Sequence, residues 1–208
     1  KFMKNALVIL AGGKGRRFGQ KTPKQFYNIG GKTILDMFLS RLDTKQFKII
    51  AISIDKKYIN IIKKSSIYKL NKNKIIFSNS GSTRQMSSFN ALKKLNKYKL
   101  KNVLIHDAAR PFCSNNLLKR ILKKLDRCNN CIPYIQYNDR QINNSNKNQT
   151  KVINIQTPQG FDYNLIFKAH NKYKNKSFSD DAGLIQEMKQ KIYLLKGEIT
   201  NIKLTYPQ

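Results

Sequence analysis

Short apolar runs and stretches of helical spacing take turns along the 208-residue chain. Ala6 to Ala11 is an apolar run ending in Gly12-Gly13, which reads as a buried strand feeding a loop. From Ile34 to Leu42 the apolar residues recur at helical spacing, and Thr33 and Asp36 stand three apart at the start, as in a capping box. Lys48 to Ile54 is a second strand, followed by a helix through Tyr58, Ile61 and Ile62. Ile75 to Phe77 is a third strand. Gly81-Ser82-Thr83 leads from it into a helix that sets Met86, Phe89, Leu92 and Leu95 on one face. Asn102 to His106 is a fourth strand, ending abruptly at Asp107, and a helix from Asn115 to Leu125 precedes a strand at Ile132 to Ile135. The polar, Asn-rich stretch 137–151 then breaks the pattern and reads as a disordered loop or an arm, placed at about 137–155. Beyond it come a strand at Val152 to Gln156, helices at Asp162 to Asn171 and Asp180 to Gln190, and short strands at Ile192 to Leu195 and Ile202 to Leu204.

Strands alternating with helices call for a mostly parallel central sheet covered on both faces, an α/β, three-layer, Rossmann-like architecture. The chain is long enough for one domain over residues 1–208 and hardly for two. In such sheets the ligand site lies outside the carboxyl ends of the strands. That singles out the loops after Ala11, Ile54, Phe77 and His106, two of which are the most unusual stretches of the sequence.

Composition narrows the class. Hydrophobic residues make up 40% and recur in clusters, which excludes a wholly disordered polybasic tail. No stretch approaches the roughly 20 apolar residues of a membrane span, so no membrane is expected as partner. The opening segment is too short in its apolar run for a signal peptide, and a cytoplasmic location is expected. Lys+Arg number 41 against 11 Asp+Glu, a net charge of +30 that points first to a polyanion. Yet the lysines are spread over nearly every predicted helix, in company with Asn and Ile. A nucleic-acid face would concentrate arginines and aromatics on one element. Cys113, Cys128 and Cys131 are an odd number, and the lone Cys128-Asn-Asn-Cys131 spacing reads as structural or incidental thiols.

Two stretches carry candidate chemistry. In Ala11-Gly12-Gly13-Lys14-Gly15-Arg16-Arg17 three glycines let the backbone approach a ligand and point its amides at an anion. The arginines, and Lys24 in Pro23-Lys24-Gln25, add fixed positive charge suited to a polyphosphate. A dinucleotide fingerprint does not fit, since Gly15 is followed by Arg-Arg-Phe before Gly19. Gly31-Lys32-Thr33 resembles the end of a P-loop, but Phe26 stands where its first glycine belongs, so Gly30-Gly31 reads as a turn before a helix. The second stretch is His106-Asp107-Ala108-Ala109-Arg110-Pro111. A carboxylate at the tip of a buried strand needs a cation, and Mg²⁺ bridging phosphate oxygens would satisfy it. The bland reading is an aspartate capping the next turn. His106 reads as a packed or orienting residue.

Together these residues resemble the sugar-phosphate nucleotidyltransferases, and within them the 2-C-methyl-D-erythritol 4-phosphate cytidylyltransferase family. The resemblance runs through AGGKGRR with PKQF, GSTRQMSS, HDAARPF, QTPQGF, FSDDAG and NIKLTYP, in that order. It implies the nucleotidyltransferase fold and transfer of CMP from CTP to methylerythritol phosphate, with Mg²⁺, in isoprenoid precursor synthesis. It implies that Arg17, Lys24 and Lys203 are catalytic, stabilising the triphosphate and transition state. Ala11, Gly12, Gly13, Gly15, Arg16, Gly81, Arg84 and Ser87 would bind CTP. Asp107 would carry the metal, and Arg110, Thr157 and Ser179, with Asp107, would face the sugar phosphate.

The departures lie in the arm, where the family has an Asp-Thr pair and a later arginine. Here Gln136-Tyr137-Asn138-Asp139-Arg140 occupies the first place and Gln149 or Lys151 the second. Arg140 is taken as the replacement charge toward the acceptor. The family's arm crosses to a second subunit, so a homodimer is expected. QTPQGF and SDDAG look like the first half of a bifunctional form with a cyclodiphosphate synthase domain, and the family's C-terminal helix is expected to be absent. Three alternatives remain open at this point. One is a ribitol 5-phosphate cytidylyltransferase, against which Ala109 and QTPQGF speak. Another is a non-catalytic basic nucleic-acid-binding protein, and the third is a subunit that depends on a missing C-terminal domain.

Overall fold

The computed structural model describes residues 4–13, 22–136 and 153–205. A central sheet is built from β1 (Asn5–Leu10), β4 (Ile49–Ile54), β5 (Ile75–Asn79), β6 (Asn102–Asp107), β7 (Asn130–Ile135), β9 (Gln159–Asp162) and β10 (Leu194–Lys196). Their order across the sheet is β10-β7-β9-β6-β1-β4-β5, with β8 (Asn154–Ile155) paired to β7. β5, β4, β1 and β6 run parallel, as do β7 and β10. β9 lies antiparallel between β6 and β7, so the sheet is mixed but mostly parallel.

The parallel strands are apolar on both sides because helices cover both faces. Leu7 and Ile9 of β1, with Ile50, Ile52 and Leu104, face one layer. That layer holds α1 (Ile34–Leu39), α2 (Ile59–Lys64) and α5 (Asn115–Lys124), through Leu35, Phe38, Ile62, Leu117 and Ile121. Ala6 and Val8, one residue out of phase, face the other layer with Ala51, Val103 and Ile105. There α4 (Arg84–Leu95), α6 (Tyr163–Lys172) and α7 (Asp181–Glu187) supply Ala91, Leu92, Ile166, Leu184 and Ile185. Each Val, Leu, Ile or Phe side chain among these contributes roughly 1.5–3 kcal/mol when fully buried.

Most expected elements are present, and the differences have physical causes. The Ile34 helix stops at Leu39, although Thr33 caps it as expected by accepting from Asp36 N–H. Gly30 and Gly31 have φ of +58° and +83° and close a two-residue hairpin between β2 (Asn28–Ile29) and β3 (Lys32–Thr33). The helix after β4 is followed by a second, α3 (Ser66–Asn71), restarted by the Ser65 side chain. Met86 is 51% exposed, and α4 buries Ser87 and Ser88 instead. Residues 202–204 are not a strand. They form an extended strap whose Leu204 N–H donates to Ala109 C=O. The first loop beyond Gly13 and the arm at 137–152 lie outside the described residues.

Candidate active site

Three strand ends meet beyond β1, β5 and β6. Ala11 N–H donates to Ser53 C=O, Ser80 N–H to Ile54 C=O, and Ala108 N–H to Leu10 C=O, so the loops leave the sheet side by side. A Cβ on Gly12 would collide with the Ser80 Cβ, so glycine is what permits this approach. A single 3-10 turn over Lys24–Phe26 brings Gln25 beneath the first loop. Its amide donates to Ala11 C=O at 2.6 Å and Gly13 C=O at 2.9 Å.

The strap crosses these ends and ties them together. Lys24 Nζ donates to Leu204 C=O at 2.9 Å, and Arg110 Nη1 to Asn201 C=O at 2.7 Å. Asn201 in turn donates to Thr157 C=O at 2.8 Å. Lys203, between them, reaches Asp107 Oδ2 at 2.6 Å. Four charged side chains from three distant segments thus converge around the tip of β6.

Asp107 is 7% exposed, and its two oxygens are held by different cations. Arg84 Nε contacts Oδ1 at 3.0 Å, opposite Lys203 on Oδ2. Burial alone would raise its pKa, but Arg84 and Lys203 outweigh that and hold the carboxyl well below the usual range. Arg84 also grips a second buried carboxylate, Asp181, through Nη1 at 2.5 Å. Burial there is likewise overcome by Arg84 and His170, leaving Asp181 at about 2. His106 stacks on Phe38 with ring centroids 4.4 Å apart, and burial pushes its imidazole down to about 4. Its Nε2 faces Arg110 C=O, so Nε2 carries the proton and Nδ1 accepts from the Thr157 hydroxyl. That hydroxyl accepts from Asp107 N–H at 3.1 Å. Cations thus surround two buried carboxylates, Asp107 and Asp181.

A profile of the 2-C-methyl-D-erythritol 4-phosphate cytidylyltransferase family matches residues 5–208. The chain belongs to this family. It is a nucleotidyltransferase, and its sheet and flanking helices are the family's fold. The bifunctional IspD/IspF enzyme of Pelagibacter ubique is 39% identical over 210 residues, which is 98% of this chain and 55% of that protein. The cytidylyltransferase of Clostridium perfringens strain SM101 is 35% identical over 213 residues, covering 97% of this chain and 93% of the relative. Among solved structures, the 4-diphosphocytidyl-2C-methyl-D-erythritol synthase of Anaerococcus prevotii superposes with a TM-score of 0.82 at 29% identity, over 97% of this chain and 90% of its own. The bifunctional IspDF of Campylobacter jejuni gives 0.81 at 29% identity, over 98% of this chain and 52% of its own.

Of the residues that the family resemblance singled out, Ala11, Gly12, Gly13, Lys24, Gly81, Asp107, Arg110 and Lys203 gather at the carboxyl ends of the strands. Gly15, Arg16, Arg17 and Arg140 lie outside the described residues. Thr157 is buried, its hydroxyl accepting from Asp107 N–H and lying against His106 Nδ1. Ser87 is also buried, accepting from Gly81 N–H and donating to Thr83 C=O, so it shapes the loop from within. Arg84 meets two carboxylates, Asp107 and Asp181. Ser179 is exposed, two residues ahead of Asp181. Sequence reasoning passed over Gln25, Asp181, His170 and Asn201. For Asp181 a signal existed, because acidic residues are scarce in this chain and two stand together at a helix start.

Proposed function

We propose that the site transfers CMP from CTP to 2-C-methyl-D-erythritol 4-phosphate and releases pyrophosphate. The observation that carries this reading is the convergence of Lys24, Lys203 and Arg110 on the tip of β6 beside a glycine loop. A phosphate oxygen of the acceptor attacks the α-phosphorus of CTP in line. The bond to the β-phosphate oxygen breaks, and the electron pair leaves with pyrophosphate. No strong general base is needed, so the protein contributes alignment and neutralisation of charge. Arg17, Arg16 and Lys24 receive the triphosphate, with the amides of Gly12, Gly13 and Gly15. Lys203 stabilises the charge that develops around the α-phosphorus. Arg110 and Ser179 take the acceptor's phosphate and hydroxyls, and Arg140 supplies the arm's missing charge.

Mg²⁺ fits this donor set in one way only. No group of three metal-type ligands occurs among the described residues, so a protein cage is not offered. Magnesium commonly takes one or two carboxylates and completes its shell with substrate phosphates and water. Asp107 would hold it, and the ion would neutralise phosphate charge between donor and acceptor. Because Lys203 already sits on Oδ2, that lysine is poised to pass to a phosphate when another cation takes its place.

A cytoplasmic metabolic role belongs to the same reading. No described helix is long and apolar enough to cross a membrane. A single transferase domain over 1–208, pairing as a homodimer through the arm, completes the reading. The same reading gives the whole protein a cyclodiphosphate synthase domain, as in the bifunctional relative that this chain matches over 55% of its length. The test supplies CTP and Mg²⁺ with either methylerythritol phosphate or ribitol 5-phosphate and measures pyrophosphate. Methylerythritol phosphate is expected to be preferred. Preference for ribitol phosphate overturns the acceptor assignment and leaves the chemistry, whereas no turnover with either overturns both.

A further inference from the structure

A continuous row of ionic contacts leads from the strap into the protein: Lys203, Asp107, Arg84, Asp181 and His170. We propose that Asp181 and His170, at the α6–α7 contact behind the strand ends, are positioning residues that hold Arg84 so that it fixes Asp107 for the transfer. The inference rests on the proposed role of Asp107 and adds two residues that touch neither substrate.

The geometry assigns each member one task. Arg84 projects from the first turn of α4 and is itself only 22% exposed at its side chain. With Asp107 alone it would be free to pivot about Nε, because its remaining nitrogens would have no carboxylate. Asp181 Oδ2 removes that freedom by taking Nη1 at 2.5 Å. Asp181 is in turn held from the other side, where His170 Nε2 meets Oδ1 at 2.9 Å. An ionised carboxylate only accepts, so Nε2 carries the hydrogen. The His170 ring is stacked against Phe89 with centroids 5.8 Å apart and planes 4° from parallel, and it is 1% exposed. Its orientation is therefore fixed by packing, and it passes that fixity to Asp181, then Arg84, then Asp107 Oδ1.

Electrostatics make the same arrangement directional. One guanidinium shared between two carboxylates neutralises neither fully. Asp107 keeps negative charge toward its outer oxygen, which is where Lys203 now sits and where a cation is needed. If Asp181 lost its charge, Arg84 would pair with Asp107 alone and quench it. A buried ion pair is often no gain in stability over an apolar substitute, so holding one here is more readily explained by positioning.

The experiment follows pyrophosphate release with CTP, methylerythritol phosphate and Mg²⁺ for the wild type, Asp181→Asn, His170→Leu and His170→Gln, with Asp107→Ala as control. Asp181→Asn keeps the shape and removes the charge; kcat per folded molecule is expected to fall by about tenfold to a hundredfold. The KM for CTP should change by less than about threefold, as for an interaction felt mainly in the transition state. His170→Leu should lose about tenfold in kcat, and His170→Gln, which presents an N–H at the same place, should recover most of it. An NMR readout accompanies the rates. The wild type should show one slowly exchanging arginine Nε–H, assigned by its loss in Arg84→Lys. It should persist in His170→Gln and exchange rapidly in Asp181→Asn and His170→Leu.

Wild-type kcat in both Asp181→Asn and His170→Leu, with only thermal stability lowered, overturns the proposal. So does a rise in KM at constant kcat. If Asp181→Asn does not fold, the His170 pair decides alone. An inactive Asp107→Ala beside fully active Asp181→Asn and His170→Leu sinks this inference and spares the reading beneath it. An Asp107→Ala as active as the wild type sinks both.

Discussion

The two ends of the central sheet are both rich in lysine, and they differ in everything else. At the amino end Lys4, Lys99 and Lys101 line a shallow cleft with Asn96, Asp162 and Tyr163. Lys101 reaches Asp126 at 3.7 Å with both side chains more than half exposed, a pairing worth little in water. Lys48 rests on the Tyr98 carbonyl. Each of these two contacts takes one lysine by itself. At the carboxyl end, Lys24, Arg84, Arg110 and Lys203 arrive from separate parts of the chain and end within one arrangement around Asp107. Positive charge is thus plentiful everywhere and organised in one place. A net charge of +30 describes the first property and is silent on the second.

The largest expected effect breaks the comparison if it fails. Lys203→Ala should lower kcat by about 10³-fold, about 4 kcal/mol of transition-state stabilisation. Lys101→Ala should leave turnover within about twofold. Equal losses at the two ends, measured by pyrophosphate release, would mean that overall charge matters and placement does not.

Next in size is a titration at the amino end. Tyr163 is 3% exposed and donates to Leu92 C=O at 2.7 Å, and burial pushes its phenol up to about 12. The folded state holds this proton more tightly than the unfolded chain does. Its contribution is therefore complete below about pH 10 and is lost as pH rises toward 12, about 2–3 kcal/mol in all. Tyr163→Phe should lack that alkaline fall in denaturation experiments between pH 9.5 and 12. An unchanged fall would assign it to other groups.

At the carboxyl end, Gly12→Ala should cost about 2 kcal/mol through the clash with Ser80, and should raise the KM for CTP as the two loops part. A neutral result in a melting curve would show that the loops are free to separate. The smallest effect is expected for Lys4→Gln and Lys101→Gln, each within about 0.5 kcal/mol of wild-type stability. A larger change would give the amino-end cleft a task that its contacts do not suggest.

The parallel half of the sheet was legible because β1, β4 and β6 are continuous apolar runs bounded by Gly, Asp or turn residues. β9 was not, because Gln159-Gly160-Phe161-Asp162 carries neither alternation nor length. Its strand state comes from pairing between β6 and β7 and from packing, since a Cβ on Gly160 would lie 2.5 Å from Ile121. The strap was misread for the opposite reason. Ile202-Lys203-Leu204 alternates like a strand, but its N–H and C=O groups serve Ala109 and Lys24 and join no ladder. The motifs lie together at the carboxyl ends of the strands, while the orientation of Thr157 and Arg84 follows from contacts more than 20 residues away, which spacing does not record. Asp181 and His170 were invisible as a pair, because only the packing of α6 on α7 makes them neighbours.

The strap also joins parts of the chain that are made at different times. Lys24 and Leu204 are 180 residues apart, and Asp107 and Lys203 are 96 apart. During synthesis the amino-terminal portion emerges first and starts to fold. By then the glycine loop and the aspartate exist, but their lysine has not yet left the ribosome. On the proposed role of Lys203, a growing chain stays silent until residues 201–205 have folded back across the sheet. The same dependence works in reverse. On the same reading, a protease cutting near Ile199, which is 75% exposed, would stop turnover while leaving the core in place.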